Sequence, residues 1–283
     1  MACDLHAHSA FSDGTDTPEQ VYEQAASLGL TSVALADHNT VGGLTRFMRA
    51  MRQDGPEAVA GVEFSTQWQD TELHLLGLFL PESSWAAIDK YLQTHIEKKE
   101  MDNRRCTERL QNAGYPVSYE LLCRAFPMPL HNRMHIARVL VDQGICSSTK
   151  EAFATFLQKG GTYYYQSERP SFLNTVELIR AWGGVSVWAH PLLQMDGPGI
   201  RAVLAQAGNR KPDGIETRYG TYTEVDETVM DAIAREAGLL PSGGSDYHGP
   251  NKPAIALGSG EGRLSVPSAY AAALKQKALE RQK

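Results

Sequence analysis

The sequence predicts an α/β protein: a parallel sheet with crossover helices, interrupted by a helical insertion. Three observations carry this. Short apolar strands alternate with amphipathic helices as far as residue 63. Residues 97–166 hold helical patterns and no convincing strand. The strand–helix alternation then resumes and runs towards the C-terminus.

The first strand is Asp4-Leu5-His6-Ala7-His8. Alternate strand residues share a face, so His6 and His8 can reach one metal ion. A loop carries Asp13, and Gly14 lets it turn sharply. Thr17-Pro18-Glu19-Gln20 opens a helix, with a capping threonine, proline at the first position and a capping-box glutamine. Val21, Ala25 and Leu28 mark its buried side, and Gly29 stops it. A strand over residues 33–36 ends in Asp37-His38-Asn39-Thr40. A helix over 44–51 and a strand over 58–62, ending at Glu63, complete this part. Residues 73–80 are strand-like and carry His74 near their start. Gln69-Asp70-Thr71 before them reads as a hairpin turn, which leaves this strand's direction open.

A long polar helix spans 84–114, with helices begun by Ser118, covering 134–140, and opened by a capping box at Ser148-Thr149-Lys150-Glu151. The helix over 173–182 stops at Gly183-Gly184, and a buried strand over 185–189 ends at His190-Pro191. Residues 213–217 form a strand with Glu216 and Arg218 at its end. A helix over 224–237 is closed by Gly238. Residues 239–241 lead into Ser242-Gly243-Gly244-Ser245-Asp246-Tyr247-His248-Gly249. The last helix runs from about Pro267, and its Lys/Arg-rich final turn is expected to fray. The expected organisation is an α/β domain of residues 1–96 and 167–283, and a helical insertion of 97–166 that overhangs the site and forms part of the substrate pocket.

Bulk properties narrow the function. The chain has 283 residues, 42% of them hydrophobic, enough for one α/β barrel or two ordinary domains. A net charge of -6 argues against a broad basic surface for long nucleic acid, yet permits a small anionic substrate beside bound cations. Cys3, Cys106, Cys123 and Cys146 form no Cys-x-x-Cys pair, which fits a reducing compartment, read here as the cytoplasm. No basic region followed by an apolar run opens the chain, so no signal peptide is expected. No apolar stretch reaches membrane-spanning length.

Function in parallel α/β folds sits where strands end. Those ends carry His6, His8, His38, Glu63, His190, Asp246 and His248, with Asp13 on the first loop and His74 placed awkwardly at a strand start. Imidazoles and carboxylates without thiolates suit zinc, manganese or iron.

The ordered set of His6-x-His8, Ser12-Asp13-Gly14, Asp37-His38, Gly61-x-Glu63, His74, Ala189-His190-Pro191 and Ser245-Asp246-x-His248-Gly249 resembles the PHP (polymerase and histidinol phosphatase) family of the amidohydrolase superfamily. The resemblance implies a distorted (β/α)7 TIM-like barrel that hydrolyses phosphate esters with three divalent ions, manganese first, with zinc or iron as alternatives. Carried over, one ion takes His6, His8, Glu63 and Asp246. A second shares Glu63 and takes His74 and His190. A third takes Asp13, His38 and His248. Asp13, His38, Glu63, His190, Asp246 and His248 would carry the catalysis, with a metal-bridging hydroxide attacking phosphorus.

The insertion adds a substrate clue. His131-Asn132-Arg133-Met134-His135-Ile136-Ala137-Arg138 resembles the Gly-Arg-Pro-His-Ile-Ala-Arg segment of one PHP subgroup. That subgroup removes the 3′-phosphate of nucleoside 3′,5′-bisphosphates, and some members trim RNA from the 5′ end. Asn132 and Met134 depart from its Gly and Pro. Arg133 and His135 are expected to hold a second phosphate, with Ser12 and Arg218 also at the substrate. His131 and His135, four apart on a helix, form an alternative metal pair, and Arg138 reads as a solvated helix face. The expected partner is a small nucleotide, or a short RNA end, with no membrane and no obligate protein. The rival readings are histidinol-phosphate phosphatase, 5′-3′ exoribonuclease and a non-catalytic PHP module.

Overall fold

The computed structural model describes residues 2–127, 131, 133–158, 160–165 and 169–283. The motif residue Asn132 lies outside them, as does the expected boundary at 166/167. The described elements are β1 (Ala2–Ala7), α1 (Pro18–Ser27), β2 (Ser32–Leu35), α2 (Leu44–Ala50), β3 (Glu57–Trp68), β4 (Thr71–Leu78), α3 (Glu82–Asn112), α4 (Tyr119–Ala125), α5 (Arg133–Asp142), α6 (Thr149–Thr155), α7 (Phe172–Ala181), β5 (Val185–Trp188), α8 (Gly197–Ala207), β6 (Gly214–Tyr219), α9 (Glu224–Ala237), β7 (Leu240–Gly244), β8 (Val266–Pro267) and α10 (Ser268–Arg281). They fall into two compact units, divided at Asp89/Lys90 and Arg169/Pro170.

The unit formed by both ends of the chain is the expected distorted barrel. Its strand order is β7-β6-β5-β4-β3-β2-β1-β8. β1, β2 and β3 pair in parallel, as do β5, β6 and β7. β4 is the distortion, antiparallel to both neighbours. β7 returns to β1 through Asp246 N donating to His6 O at 2.8 Å and His8 N donating to Tyr247 O at 2.9 Å. Gly244 permits this approach, because a Cβ there would lie 2.4 Å from His6 Cβ. Strand alternation divides the packing. Val33 and Leu35 join Val21, Tyr22 and Phe47 from the helices, while Ala34 and Ala36 join Leu5, Leu76 and Val187.

Local signals act where expected. Thr17 and Gln20 form the capping box of α1, and Gly238 ends α9 in the left-handed conformation. Three readings need correction, and one helix is added. β3 continues past Glu63 to Trp68 and turns into β4. α8 is an addition between β5 and β6; Asp196 caps it, accepting from Gly199 N. Ser148 caps α6, but Glu151 turns away to Ser147 N and Oγ instead of completing a box. The last turn of α10 is anchored: Arg281 donates to Gly184 O and to Asp213 Oδ2 at 2.8 and 2.7 Å.

The helical unit has its own core of Leu110, Val117, Leu122, Ile136, Leu140 and Leu157. Beside it lies a buried polar cluster. His131 Nδ1 is 2.9 Å from Glu100 Oε2, and its Nε2 is 2.8 Å from Phe126 O. Both ring nitrogens are therefore engaged by protein oxygens, which removes His131 from the suggested metal pair with His135.

Candidate metal centre

β1 delivers His6, and His8 follows immediately; both are fully buried. The buried carboxylate of Asp4 pins this start by accepting from His6 N at 3.2 Å, Ser245 N at 3.0 Å and Gly258 N at 2.8 Å. The next loop folds back, with Gly14 so close to His8 O that a Cβ would lie 2.7 Å from it. Asp37 gathers the same loop: Ser9 N and Ser12 Oγ donate to Oδ1, and Ser9 Oγ to Oδ2, each at 2.7 Å.

Glu63 lies at the middle, fully buried among five imidazoles. Its Oε2 is 3.1 Å from His6 Nε2, 3.2 Å from His8 Nε2 and 3.1 Å from His38 Nδ1. Its Oε1 is 2.8 Å from His74 Nδ1 and 3.0 Å from His190 Nε2. The awkward placement of His74 now has a cause. β4 runs backwards, so its start lies beside the ends of the parallel strands.

Three groups of side chains converge closely enough to hold an ion. His6, His8, Glu63 and Asp246 form one. His8, Asp13, His38 and His248 form another, which adds His8 to the expected set. The third is His38, Glu63 and His74. His190, also expected there, lies outside this group, with Nε2 3.0 Å from Glu63 Oε1 and its ring 5.2 Å from that of His74. His190 and Asp246 occupy the left-handed region, at φ 32° and 59°, a conformation that costs about 1 kcal/mol or more outside glycine.

The electrostatics call for cations. Burial pushes the His6 imidazole down, but Glu63, Glu216 and Asp246 outweigh it and hold the group well above its usual value. His8 rises to about 9 in the same way, against burial, through Asp246 and Glu63. Burial opposes ionisation of Glu63 and Asp246, yet the surrounding imidazoles hold both well below the carboxylate range. His38 is lowered to about 3, by burial and then by His8 and His74, so it stays neutral and ready to ligate.

Hydrogen bonding does not satisfy this cluster. Among the described residues, His8 Nδ1 and Nε2, His38 Nδ1 and Asp246 Oδ1 are buried with no hydrogen-bond partner. Buried polar atoms are rarely left so. Orphaned nitrogens and carboxylate oxygens converging at 3 Å fit divalent ions between them, of the kind that imidazole and carboxylate favour.

Other residues fall elsewhere. Arg218 turns away from the ligands and forms a two-pronged pair with Asp231 on α9, at 2.9 Å for both contacts. The cause is a bulge: Glu216 pairs with Ser242 and Arg218 with Gly243, so one extra residue reverses the facing. Ser12 places its hydroxyl on Asp37. Arg133 and His135 belong to the helical unit, where Arg133 lies 5.1 Å from the Tyr164 ring and His135 4.7 Å from that of Phe126. Sequence reasoning missed Tyr219 and Lys252, whose hydroxyl and ammonium both donate to Asp246 Oδ2 at 2.7 Å. It also gave Glu216 no role. A single strand-end carboxylate carries no pattern to mark it.

The comparisons with known proteins come to the same place. The model of the PHP domain family matches residues 4–157. A "5′-3′ exoribonuclease" of Haemophilus influenzae is 31% identical over 87% of this chain and 90% of its own length. A "3′,5′-nucleoside bisphosphate phosphatase" of Chromobacterium violaceum is 30% identical over 88% of each chain. Among solved structures, a candidate metal-dependent phosphoesterase of Bifidobacterium adolescentis superposes with a TM-score of 0.74 at 27% identity, covering 97% of this chain and 96% of that one.

Proposed function

The chain belongs to the PHP domain family and is a metal-dependent phosphoesterase; on that premise we propose that it removes the 3′-phosphate of nucleoside 3′,5′-bisphosphates. The observation that carries the chemistry is the set of orphaned ligand atoms around Glu63. We assign three ions to the centre, manganese first. One is held by His6, His8, Glu63 and Asp246, one by Glu63, His74 and His190, and one by Asp13, His38 and His248. Divalent ions bound there would draw charge from phosphate oxygens and acidify water towards neutral pH. Asp13 is the open end of the centre, its side chain 54% exposed, and gives the substrate its approach. Lys252 adds a half-exposed ammonium at Asp246, which favours a dianionic phosphate.

The choice of substrate rests on the relative from Chromobacterium violaceum and on Arg133 and His135. An arginine can grip two oxygens of a second phosphate with its planar guanidinium. Such a contact is worth roughly 1.5–3 kcal/mol, or about one to two orders of magnitude. The exoribonuclease name of the Haemophilus relative supports a second reading, 5′-3′ trimming of short RNA. Four free cysteines suit the reducing cytoplasm, where we place the enzyme.

A phosphate-release assay with manganese tests this directly. It should compare nucleoside 3′,5′-bisphosphates with histidinol phosphate, while short 5′-phosphorylated RNA is followed by release of mononucleotides, because cleaving a phosphodiester frees no inorganic phosphate. Arg133→Ala should lower kcat/KM for the bisphosphate about 10- to 100-fold, chiefly through KM, and barely alter a 3′-monophosphate. Equal losses on both substrates would remove Arg133 from the second-phosphate role.

A further inference from the structure

Glu216 lies fully buried within β6, where the bulge before Arg218 keeps it turned inward. Its two oxygens serve two different ligands. Oε1 is 3.0 Å from His6 Nδ1, and Oε2 accepts the main-chain N–H of His190 at 2.6 Å. We infer that Glu216 is a positioning residue that sets the ligating geometry of His6 and His190 together, and so couples the ions that these two histidines would hold.

The argument is one of donors and acceptors. A carboxylate oxygen only accepts, so His6 Nδ1 carries the hydrogen. Nε2 faces another carboxylate oxygen, Glu63 Oε2 at 3.1 Å, and an ion bound there would take the Nε2 lone pair in place of its proton, while Nδ1 keeps its own on Glu216. The His6 ring is thus held in the tautomer that ligates through Nε2, by the kind of carboxylate contact that commonly orients ligating histidines. At His190 the same carboxylate holds the backbone. This residue sits at φ 32° and ψ 51°, and its N–H points away from the sheet pairing. Glu216 Oε2 satisfies that N–H and keeps the residue in its left-handed turn, which aims Nε2 at Glu63 Oε1, 3.0 Å away.

A neighbour completes the His190 arrangement. The Gln194 amide lies 2.6 Å from His190 Nδ1, with its Oε1 buried and unpartnered. Turning that amide over puts Oε1 on Nδ1–H and leaves Nε2 as the ligating atom. His248 repeats the pattern, with Nδ1 2.7 Å from Asp246 O and Nε2 facing Asp13.

Two acceptors are needed at position 216, one for each donor. Glutamine has one acceptor and one N–H₂ group, so Glu216→Gln must turn a donor towards either His6 or His190. The inference rests on the metal centre and not on the choice of substrate. The test is calorimetric titration of zinc into chelator-treated full-length protein. Glu216→Gln should bind about 10- to 100-fold more weakly than wild type. Gln194→Leu should weaken only the ion that depends on His190. Wild-type affinity and stoichiometry in Glu216→Gln would overturn the assignment. Zinc-loaded wild-type protein offers a second readout that needs no variant to fold. Ring-nitrogen NMR should show His6 bound through Nε2 and protonated at Nδ1, and the reverse would equally overturn it. Wild-type protein that takes up no zinc would instead sink the metal centre itself.

Discussion

At the scale of single residues, Glu63 carries the most. It touches five imidazoles, and both its oxygens face more than one of them. Replacing it leaves the shape of the site but removes the charge that organises it. Purified Glu63→Gln should therefore hold fewer ions per chain than wild type by elemental analysis. Its activity should fall by about two orders of magnitude or more, since even outer partners of metal ligands are worth about 10- to 100-fold. An unchanged ion count would remove Glu63 as a shared ligand. Residue types of this kind are legible in a sequence, because His, Asp and Glu at successive strand ends share one chemistry. Arg218 was misread on the same logic. Its strand-end position suggested the substrate, and only the register of β6 against β7 shows that it turns to Asp231.

At the scale of elements, the last helix is more than a frayed tail. Asp213, at the foot of β6, accepts from Ser186 N and Oγ at 2.9 and 2.8 Å. The same carboxylate pairs with Arg180 on α7 and Arg281 on α10. Burial opposes its ionisation, yet Arg281, Ser186 and Arg180 lower it from 3.8 to about 2. The folded value lies below the unfolded one, so this stability is full above about pH 4 and is lost as pH falls through 2. A depression of that size amounts to about 2 kcal/mol. Arg281→Gln should cost part of that near neutral pH, since Ser186 and Arg180 stay on Asp213, and the gap between chelator-treated wild type and variant should narrow between pH 4 and 2 in urea unfolding. A constant difference across that range would show that Arg281 acts through packing alone. The sequence marked α10 but not its clamp, since Asp213 and Arg281 lie 68 residues apart.

At the scale of the whole molecule, the metal centre and the barrel are one device. β1 and β7 close the barrel through the main chain of His6, His8, Asp246 and Tyr247, residues that include three of the candidate ligands. Ions bound between these side chains hold the folded state and not the unfolded one. At a hundred times its dissociation constant, one ion adds about 2.7 kcal/mol. Thermal unfolding of the manganese-loaded protein should accordingly fall by about 5–10 °C on chelation and recover on adding the metal back. No shift on chelation would mean that closure does not depend on the centre. Among the described residues no helix is long and apolar enough to cross a membrane.

The sequence by itself determined the alternation of strands and helices, the strandless insertion, the helix caps and the ordered ligand types. These depend on periodicity and on neighbours a few positions apart, such as Thr17 with Gln20. The tertiary structure alone decided how the candidate ligands are brought together. It reversed β4 and so brought His74 to Glu63, inserted the bulge that parted Glu216 from Arg218, and set Tyr219 and Lys252 on Asp246. The reason is physical. Strand direction, register and the partner of a buried carboxylate come from closing the barrel, which joins His6 to Glu216 across 210 residues of chain. No local pattern encodes a contact over that separation.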